Sequence, residues 1–340
     1  MPPHSILFTS RAPIGYVAIA KNDVCTNQGF KSVVPNEDTD YLFLYYLLLH
    51  NRDRIENMGS GTTFKEVSGS VMKQISVFVP TDKAEQRSIA ETLGALDDKI
   101  ENNSKINHHL EQMAQAILKS WFVDFEPFGG VIPDDWREVT LSDLCTTVTK
   151  GTTPTTLKKR FVDQGINFVK AESILDDHSI DFGKLAFIDD ETNTLLSRSV
   201  IRVSDIIFTI AGTLGRFAFV RDDLLPANTN QAVAIIRADT SKINPVTLYS
   251  FFVGGLHLDF YTKNIQQAVQ ANLSLKTIKA LPLSLPPEET LAEYSALIEP
   301  IFERIFQNYA ESRRLAELRD TLLPRLMSGE LSIAYLGDAK

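Results

Sequence analysis

One phrase is written twice in this chain. Residues 6–15 read ILFTSRAPIG, and residues 206–215 read IIFTIAGTLG. The echo continues, with CTNQGFKSVV (25–34) answered by NTNQAVAIIR (228–237), and GSGTTFKEVSGSVMKQISVFVP (59–80) by IQQAVQANLSLKTIKALPLSLP (265–286). In the last pair Val67, Ser68, Met72, Ile75, Val77, Val79 and Pro80 fall on Leu273, Ser274, Ile278, Leu281, Leu283, Leu285 and Pro286. The offset drifts only from 200 to 206, so few insertions separate the copies. A period of that length marks a duplicated domain rather than a solenoid, so the architecture has to be one that is built twice.

A long helical stretch follows each copy. Ile89, Leu93, Leu96, Ile100, Asn103, Asn107, Leu110, Ala114, Ile117 and Trp121 keep a 4-3-4-3 spacing. Ile298, Ile301, Ile305, Asn308, Ser312, Leu315, Arg319, Leu322 and Leu326 nearly repeat it. That is the 3.5-residue seam of a coiled coil. The spacing predicts helices over 84–122 and 290–327, each a rod of roughly 55–60 Å. Equivalent helices in a duplicated chain can be related by a pseudo-twofold axis, so they are expected to pack antiparallel, with the globular units at opposite ends. Both seams turn polar in the middle, at Asn103/Asn107 and Asn308/Ser312. These are either buried residues that fix register at a cost in stability, or positions on a solvated rim.

The stretch PFGGVIPDDW (127–136) breaks the first helix with Gly-Gly and Pro and opens a new globular unit. That unit runs through residues 133–205 before reaching its IIFT phrase, whereas the first copy reaches ILFT after five residues. The first copy is therefore expected to lack its amino-terminal part. Strand-like runs (ILFT, YVAIA, SVFVP; DIIFTI, FAFV, AVAIIR) mix with short helices at 41–50 and 245–255, which predicts α+β units. The expected organisation is the end of one globular domain (1–82), a helix (83–126), a complete domain (127–287), and a second helix with its tail (288–340).

Net charge is −9, which alone argues against a nucleic-acid partner. Its distribution matters more. Residues 83–132 carry net −3 and 288–340 net −4, while 1–82 and 133–287 carry only −1 each. The acid sits on the helices, leaving the globular units free to present a basic face. No apolar run is long enough for a bilayer; the longest, YLFLYYLLL (41–49), suits a buried helix or strand. The opening MPPHS has no basic region of a signal peptide, and Cys25 and Cys145 form no disulfide framework or metal set. Both cysteines are expected in the core and the chain in the cytoplasm.

Sites for catalysis are not legible. There is no G-x-G-x-x-G, no phosphate loop, and no Asn-Pro-Pro run of an adenine methylase. GSGTTFK (59–65) is Gly-rich but misplaces the lysine. His108 and His109 are adjacent, so on a helix they do not face one point, and solvated or docking His is the simpler reading. Asp189, Asp190 and Glu191, like Asp222 and Asp223, read as acids of solvated turns. At the end of the first helix Leu118, Trp121 and Phe122, with Phe125 and Phe128, form an apolar cluster, which is either core or a docking patch for a partner.

Two globular units alternating with two similar long helices resemble the specificity subunit of type I restriction–modification enzymes. The resemblance rests on ILFTSRAPIG with TNQGF and on IIFTIAGTLG with NTNQA. WREVTLSDLC, KGTTPTT, GINFVKAESI, EQRSIAETLGALDDKIENNSKINHHLEQMAQAILKSWF and ELRDTLLPRLMSGEL extend it. It covers nearly the whole chain. It implies that each globular unit is a target recognition domain for one half of a bipartite double-stranded DNA site, and that the helices set the gap. It implies docking of two methyltransferase subunits, which bring S-adenosylmethionine, and of a motor-nuclease restriction subunit. The chain itself would need no cofactor and catalyse nothing. The missing start of the first domain leaves a second reading open: a truncated copy that no longer reads DNA, such as a recombination cassette.

Candidate DNA contacts follow from residue type. KGTTPTTLKKR (150–160) offers Lys150, Thr152, Thr153, Lys158, Lys159 and Arg160, the hydroxyls, amides and cations that phosphates bind; Lys170 and Arg216 are weaker candidates. The bland alternative is a surface loop with a charge run. The duplication supplies a filter, because residues identical in both copies cannot distinguish two half-sites. Phe8/Phe208, Thr9/Thr209, Gly15/Gly215 and Thr26-Asn27-Gln28/Thr229-Asn230-Gln231 are therefore expected to be scaffold, turn or phosphate contacts. Base readers are expected where the copies differ: Arg11 (against Ala211), Ser60, Thr62 and Thr63 in the first, and Gln266 and Gln267 in the second, which suit adenine in type but equally suit a polar surface strand.

Overall fold

Each stretch with coiled-coil spacing is one unbroken helix in the computed structural model, which describes residues 1–11, 13–60, 65–265 and 272–333. Along the chain the strands are β1 (Ile6–Ser10), β2 (Ile14–Ile19), β3 (Arg137–Thr140), β4 (Cys145–Lys150), β5 (Ile166–Val169), β6 (Ala186–Ile188), β7 (Val200–Ile201), β8 (Ile206–Thr209), β9 (Phe217–Phe219), β10 (Ala227–Thr229), β11 (Val233–Ala238) and β12 (Pro282–Leu285). The helices are α1 (Tyr41–His50), α2 (Arg52–Asn57), α3 (Gly69–Gln74), α4 (Lys83–Phe122), α5 (Asp190–Leu195), α6 (Pro245–Val253), α7 (Leu258–Lys263), α8 (Leu275–Lys279) and α9 (Glu288–Met327). The long helices thus start and end within two residues of the span their spacing predicts. Two compact units result, Met1–Lys105 with Asn308–Lys340, and Ile106–Gln307.

In the first unit β1 and β2 pair antiparallel, and residues 30–33 bridge the other edge of β1 (Ile6 with Val33, Thr9 with Phe30). Phe8, Ile14, Ile55 and Val67 form a small core against this sheet. Asp40 caps α1 by accepting from the Leu42 and Phe43 amides, which aims Phe43, Tyr46 and Leu47 at Ile89, Ala90 and Leu93 of α4 and Leu323, Leu326 and Met327 of α9. Within this unit α4 and α9 run antiparallel: Asp97 accepts from Arg319 Nη1 (2.6 Å), and six residues further on Asn103 donates back to Glu311 (2.8 Å). Tyr46 Oη donates to the same Asp97 (2.6 Å), tying α1 to the helix pair.

The second unit holds two four-stranded sheets among its described residues, in the orders β6-β5-β10-β7 and β4-β11-β8-β9, and a small β12-β3 pair. Val169, Ile174, Ile201, Ile207, Val220, Val233 and Ile235 pack into one core between them. Here too the helices run antiparallel: Asn107 donates to the Ile305 carbonyl, and Trp121 and Phe122 lie on Tyr294. Asn103, Asn107 and Asn308 are all buried, so the polar positions lie inside the seam and not on a solvated rim.

Several expectations change. Residues 76–80 (SVFVP) form no strand, although their counterpart β12 does; β12 pairs with β3, and the first copy holds no described equivalent of β3. Cys25 is exposed rather than core. Cys145 is partly buried, and desolvation pushes its thiol up to about 12. Asp189 is not a bare turn acid; it caps α5 by accepting from the Thr192 amide. Leu118 and Phe122 are 1% and 9% exposed, Leu118 packing on Gly254 and Phe122 among Trp136, Phe251 and Tyr294. Half-buried Trp121 adds Phe128 and Tyr294. These aromatic contacts make the cluster core of the second unit, which corrects the docking-patch expectation for Leu118, Trp121 and Phe122.

Candidate DNA interface

The duplicated phrases build one device twice. Thr9 Oγ1 accepts from the Tyr16 amide at 2.8 Å, and Thr209 Oγ1 accepts from the Arg216 amide at 2.8 Å. Gly15 and Gly215 precede these amides at φ +96° and +90°, a left-handed conformation that favours glycine. Asn27 and Asn230 each close a turn, accepting from the amides of Gly29 (2.8 Å) and Ala232 (3.0 Å). The Ser10 and Ile210 carbonyls accept from Val67 and Leu273 (2.9 Å each), and Ser68 and Ser274 then cap α3 and α8. The shared residues are a frame of turns and caps.

The segment 150–160 hangs from this frame in the second unit. Lys150, half-buried, ends β4 opposite Ala234. A Cβ on Gly151 would fall 1.8 Å from the Thr229 carbonyl oxygen, so only glycine lets the chain pass the TNQ turn. Thr152 is half-buried, and Thr153 donates to Gln231 through both its amide (3.2 Å) and its hydroxyl. One 3-10 turn, Pro154–Leu157, then presents Lys158 in a left-handed conformation at φ +59°. Lys158 and Arg160 are exposed. Lys159 is engaged with Glu191 at 2.6 Å, Lys170 with Glu172 at 2.8 Å, and Arg216 with both oxygens of Asp176 at 2.6 and 2.7 Å. The carboxylates of the two lysine pairs are exposed, whereas Arg216 is half-buried, bidentate to Asp176 and also bonded to the Ile174 carbonyl, so it is the most firmly held of the three.

In the first unit Arg11 is half-buried beside Gly29, and its backbone pairs with that of Glu66, which also pairs with exposed Ser60; the Glu66 carboxylate is held by Lys31 at 3.2 Å. Thr62 and Thr63, and Gln266 and Gln267, lie outside the described residues. Sequence reasoning passed over Lys73 and Lys279. They occupy the same place in α3 and α8, are exposed in both copies, and are identical. The identity filter marks such a pair as scaffold, turn or phosphate contact, and neither lysine is buried in the core. Among the described residues no cluster of ligating side chains could hold a metal, and no helix is long and apolar enough to cross a membrane.

Residues 1–112 and 133–311 match the family described as type I restriction modification DNA specificity domain. The chain belongs to that family. It is 31% identical over 352 residues to the MjaIX specificity subunit of Methanocaldococcus jannaschii, covering 98% of this chain and 79% of the relative. It is 26% identical to the HindI specificity subunit of Haemophilus influenzae, covering 85% and 77%. The fold is that of the S subunit crystal structure from M. genitalium, at a TM-score of 0.60 and 19% identity over 96% of this chain and 83% of that one. The two matched segments of the specificity chain each contain one copy of the frame described above.

Proposed function

We propose that this chain recognises double-stranded DNA for a type I restriction–modification complex, and that each recognition region addresses one half of a bipartite target. The observation that carries the reading is the double match to the specificity domain across both copies of one frame. The remnant reading is not favoured by a match that runs through both regions. The recognition regions are proposed to span 1–82 and 127–287, with 83–126 and 288–340 as helical spacers that set the gap. Lys158, Arg160 and Lys279 are proposed as phosphate contacts, with Lys150, Thr152, Thr153, Lys159, Lys170 and Arg216 around them. Arg11, Ser60, Thr62 and Thr63 are proposed as base readers for one half-site, and Gln266 and Gln267 for the other. The chain is the specificity part and not a catalytic one. It assembles with the other subunits of its system; two methyltransferase subunits bearing S-adenosylmethionine, a restriction subunit, and a cytoplasmic location complete the proposal.

The test is a salt titration of DNA binding by the complex assembled with its methyltransferase partner, beside sequencing of the methylated sites. Replacing Lys158 and Arg160 by Ala should lower the slope of log K against log salt by about 0.9 for each phosphate no longer neutralised, with the methylated sequence unchanged. Gln266→Ala with Gln267→Ala should relax one half-site, at about 1–3 kcal/mol if either residue makes a bidentate base contact. An unchanged slope removes the loop from the interface. An unchanged half-site removes the two glutamines from the readers.

A further inference from the structure

The frame is repeated, but the side chain it presents is not. Gly15 and Gly215 hold the same place in it, and the amide that follows each is bonded to the frame's threonine. That amide belongs to Tyr16 in the first region and to Arg216 in the second. Tyr16 is 68% exposed, and Arg216 is half-buried with part of its side chain at the surface. One turn thus carries two different residues outward. The identity filter that marks the frame as shared marks this position as one that can tell two half-sites apart.

Arg216 is also held more tightly than a phosphate contact requires. Its Nε and Nη2 donate to the two oxygens of Asp176 at 2.6 and 2.7 Å, and its Nη1 donates to the Ile174 carbonyl at 3.1 Å. The loop that carries Asp176 is itself fixed. Leu175 donates its amide to the Ser179 carbonyl, Asp177 accepts from the amide and hydroxyl of Ser179, and Ile174 pairs with Ile180. His178 of that loop stacks on Phe217, the neighbour of Arg216, with ring centroids 4.0 Å apart. A full carboxylate charge against the guanidinium leaves the pair little net attraction for a phosphate. Direction is kept. A guanidinium has five N–H groups. Three are bonded among the described residues, which leaves one on each terminal nitrogen.

We propose that Arg216 reads a guanine in the half-site addressed by the second region, and that Asp176 is the positioning residue that aims it. Guanine presents two acceptors, N7 and O6, in the major groove, and an arginine that meets both makes the commonest specific base contact. The two N–H groups left on the terminal nitrogens are the donors such an edge takes. Because Asp176 and Ile174 order the side chain before DNA arrives, little rotamer freedom is lost on binding. Tyr16 has one hydroxyl donor and cannot make that pair of bonds, so the two regions differ at this place. Arg216 then belongs with the base readers of the proposed function, on which this assignment rests, and not with the phosphate contacts.

The experiment uses the complex assembled with its methyltransferase partner, with sequencing of the methylated sites beside a salt titration of DNA binding. Arg216→Lys keeps the charge and removes the planar fork. It should cost about tenfold in preference for guanine at one position of one half-site, leaving the other half-site and the salt slope unchanged. Asp176→Asn keeps the size and frees the charge of Arg216. It should relax that same position and steepen the slope of log K against log salt on non-cognate DNA by up to about 0.9. A carboxylate that merely braced the loop would move neither. Neither variant touches the backbone bond to Thr209 Oγ1. An unchanged methylated sequence with Arg216→Lys, preference lost in both half-sites, or an Asp176→Asn complex that changes neither readout would overturn the assignment while the proposed function stands. An unaltered complex that methylates no defined sequence would overturn both.

Discussion

The first and second recognition regions carry the same sequence device in different surroundings, and the contrast separates what a local sequence dictates from what a neighbour must supply. Turn, cap and strand crossing are the same in both: the Thr9 and Thr209 bonds are equal in length, and Ser68 and Ser274 cap equivalent helices. Burial is not the same. Val77 is 42% exposed and its counterpart Leu283 is 5% exposed, because only the second copy has a strand lying against that position. The attachment of the short helix also differs. In the first region Tyr46 reaches a charged partner, Asp97, which Arg319 also holds; in the second Thr247 and Ser250 use neutral hydroxyls on Ser295 and Tyr294.

The sharpest way to break the comparison is to truncate the two equivalent side chains. Leu283→Ala removes a buried side chain from a closed core and should cost about 2–5 kcal/mol. Val77→Ala removes one that water already reaches and should cost under about 1 kcal/mol. Hydrogen exchange read by mass spectrometry over residues 6–10 and 206–209 reports each region separately. Equal losses in the two would mean that Val77 is covered in solution.

The next largest difference is one of pH. His257 is buried among Phe208, Phe217, Phe252 and Tyr261, and desolvation, with His178 nearby adding to it, holds its pKa down to about 4. His178 is lowered as well, chiefly by burial. The unfolded chain therefore takes up these protons at a higher pH than the folded one does. Their contribution is complete above the unfolded value of about 6.5 and is lost as pH falls toward 4, about 2–4 kcal/mol for His257. In the first region desolvation also lowers the pKa of His50, but that ring is exposed, so the loss there should be smaller. Exchange rates for the two regions at pH 7 and pH 5 check this, and His257→Leu should flatten the response of the second.

Much of this contrast was legible in the sequence, and the rest fails for identifiable reasons. Seam spacing located α4 and α9 because a pattern sustained over 40 residues averages over local exceptions. The repeat located the frame, since it paired Thr9 with Thr209 and Asn27 with Asn230 before any geometry was known. What failed depended on partners distant in the chain. SVFVP has strand composition but no strand to pair with, and Trp121 and Phe122 look like a patch until Trp136 and Tyr294 cover them. Charge runs misled in the same way: KKR reads as three free cations, yet Glu191 holds the middle one.

The smallest expected effect tests the frame itself. Thr→Val keeps the β-branched shape and deletes the acceptor, so Thr9→Val and Thr209→Val remove one hydrogen bond of the same 2.8 Å length. Their surroundings differ. Thr209 is fully buried, so the amide of Arg216 keeps only its long bond to the Thr213 carbonyl (3.5 Å) in a site that water cannot easily enter, and Thr209 also donates to the Thr213 carbonyl. That should cost about 1–3 kcal/mol. Tyr16 is exposed, so water can take up its amide in the first region, and Thr9→Val should cost about 0.5–1.5 kcal/mol. Exchange at the Tyr16 and Arg216 amides, read by NMR on a selectively labelled chain, separates the two cases. A larger loss at Tyr16 than at Arg216 would show that the turn is more strained where the region is open. The shared residues would then hold the first copy together more than they hold the second.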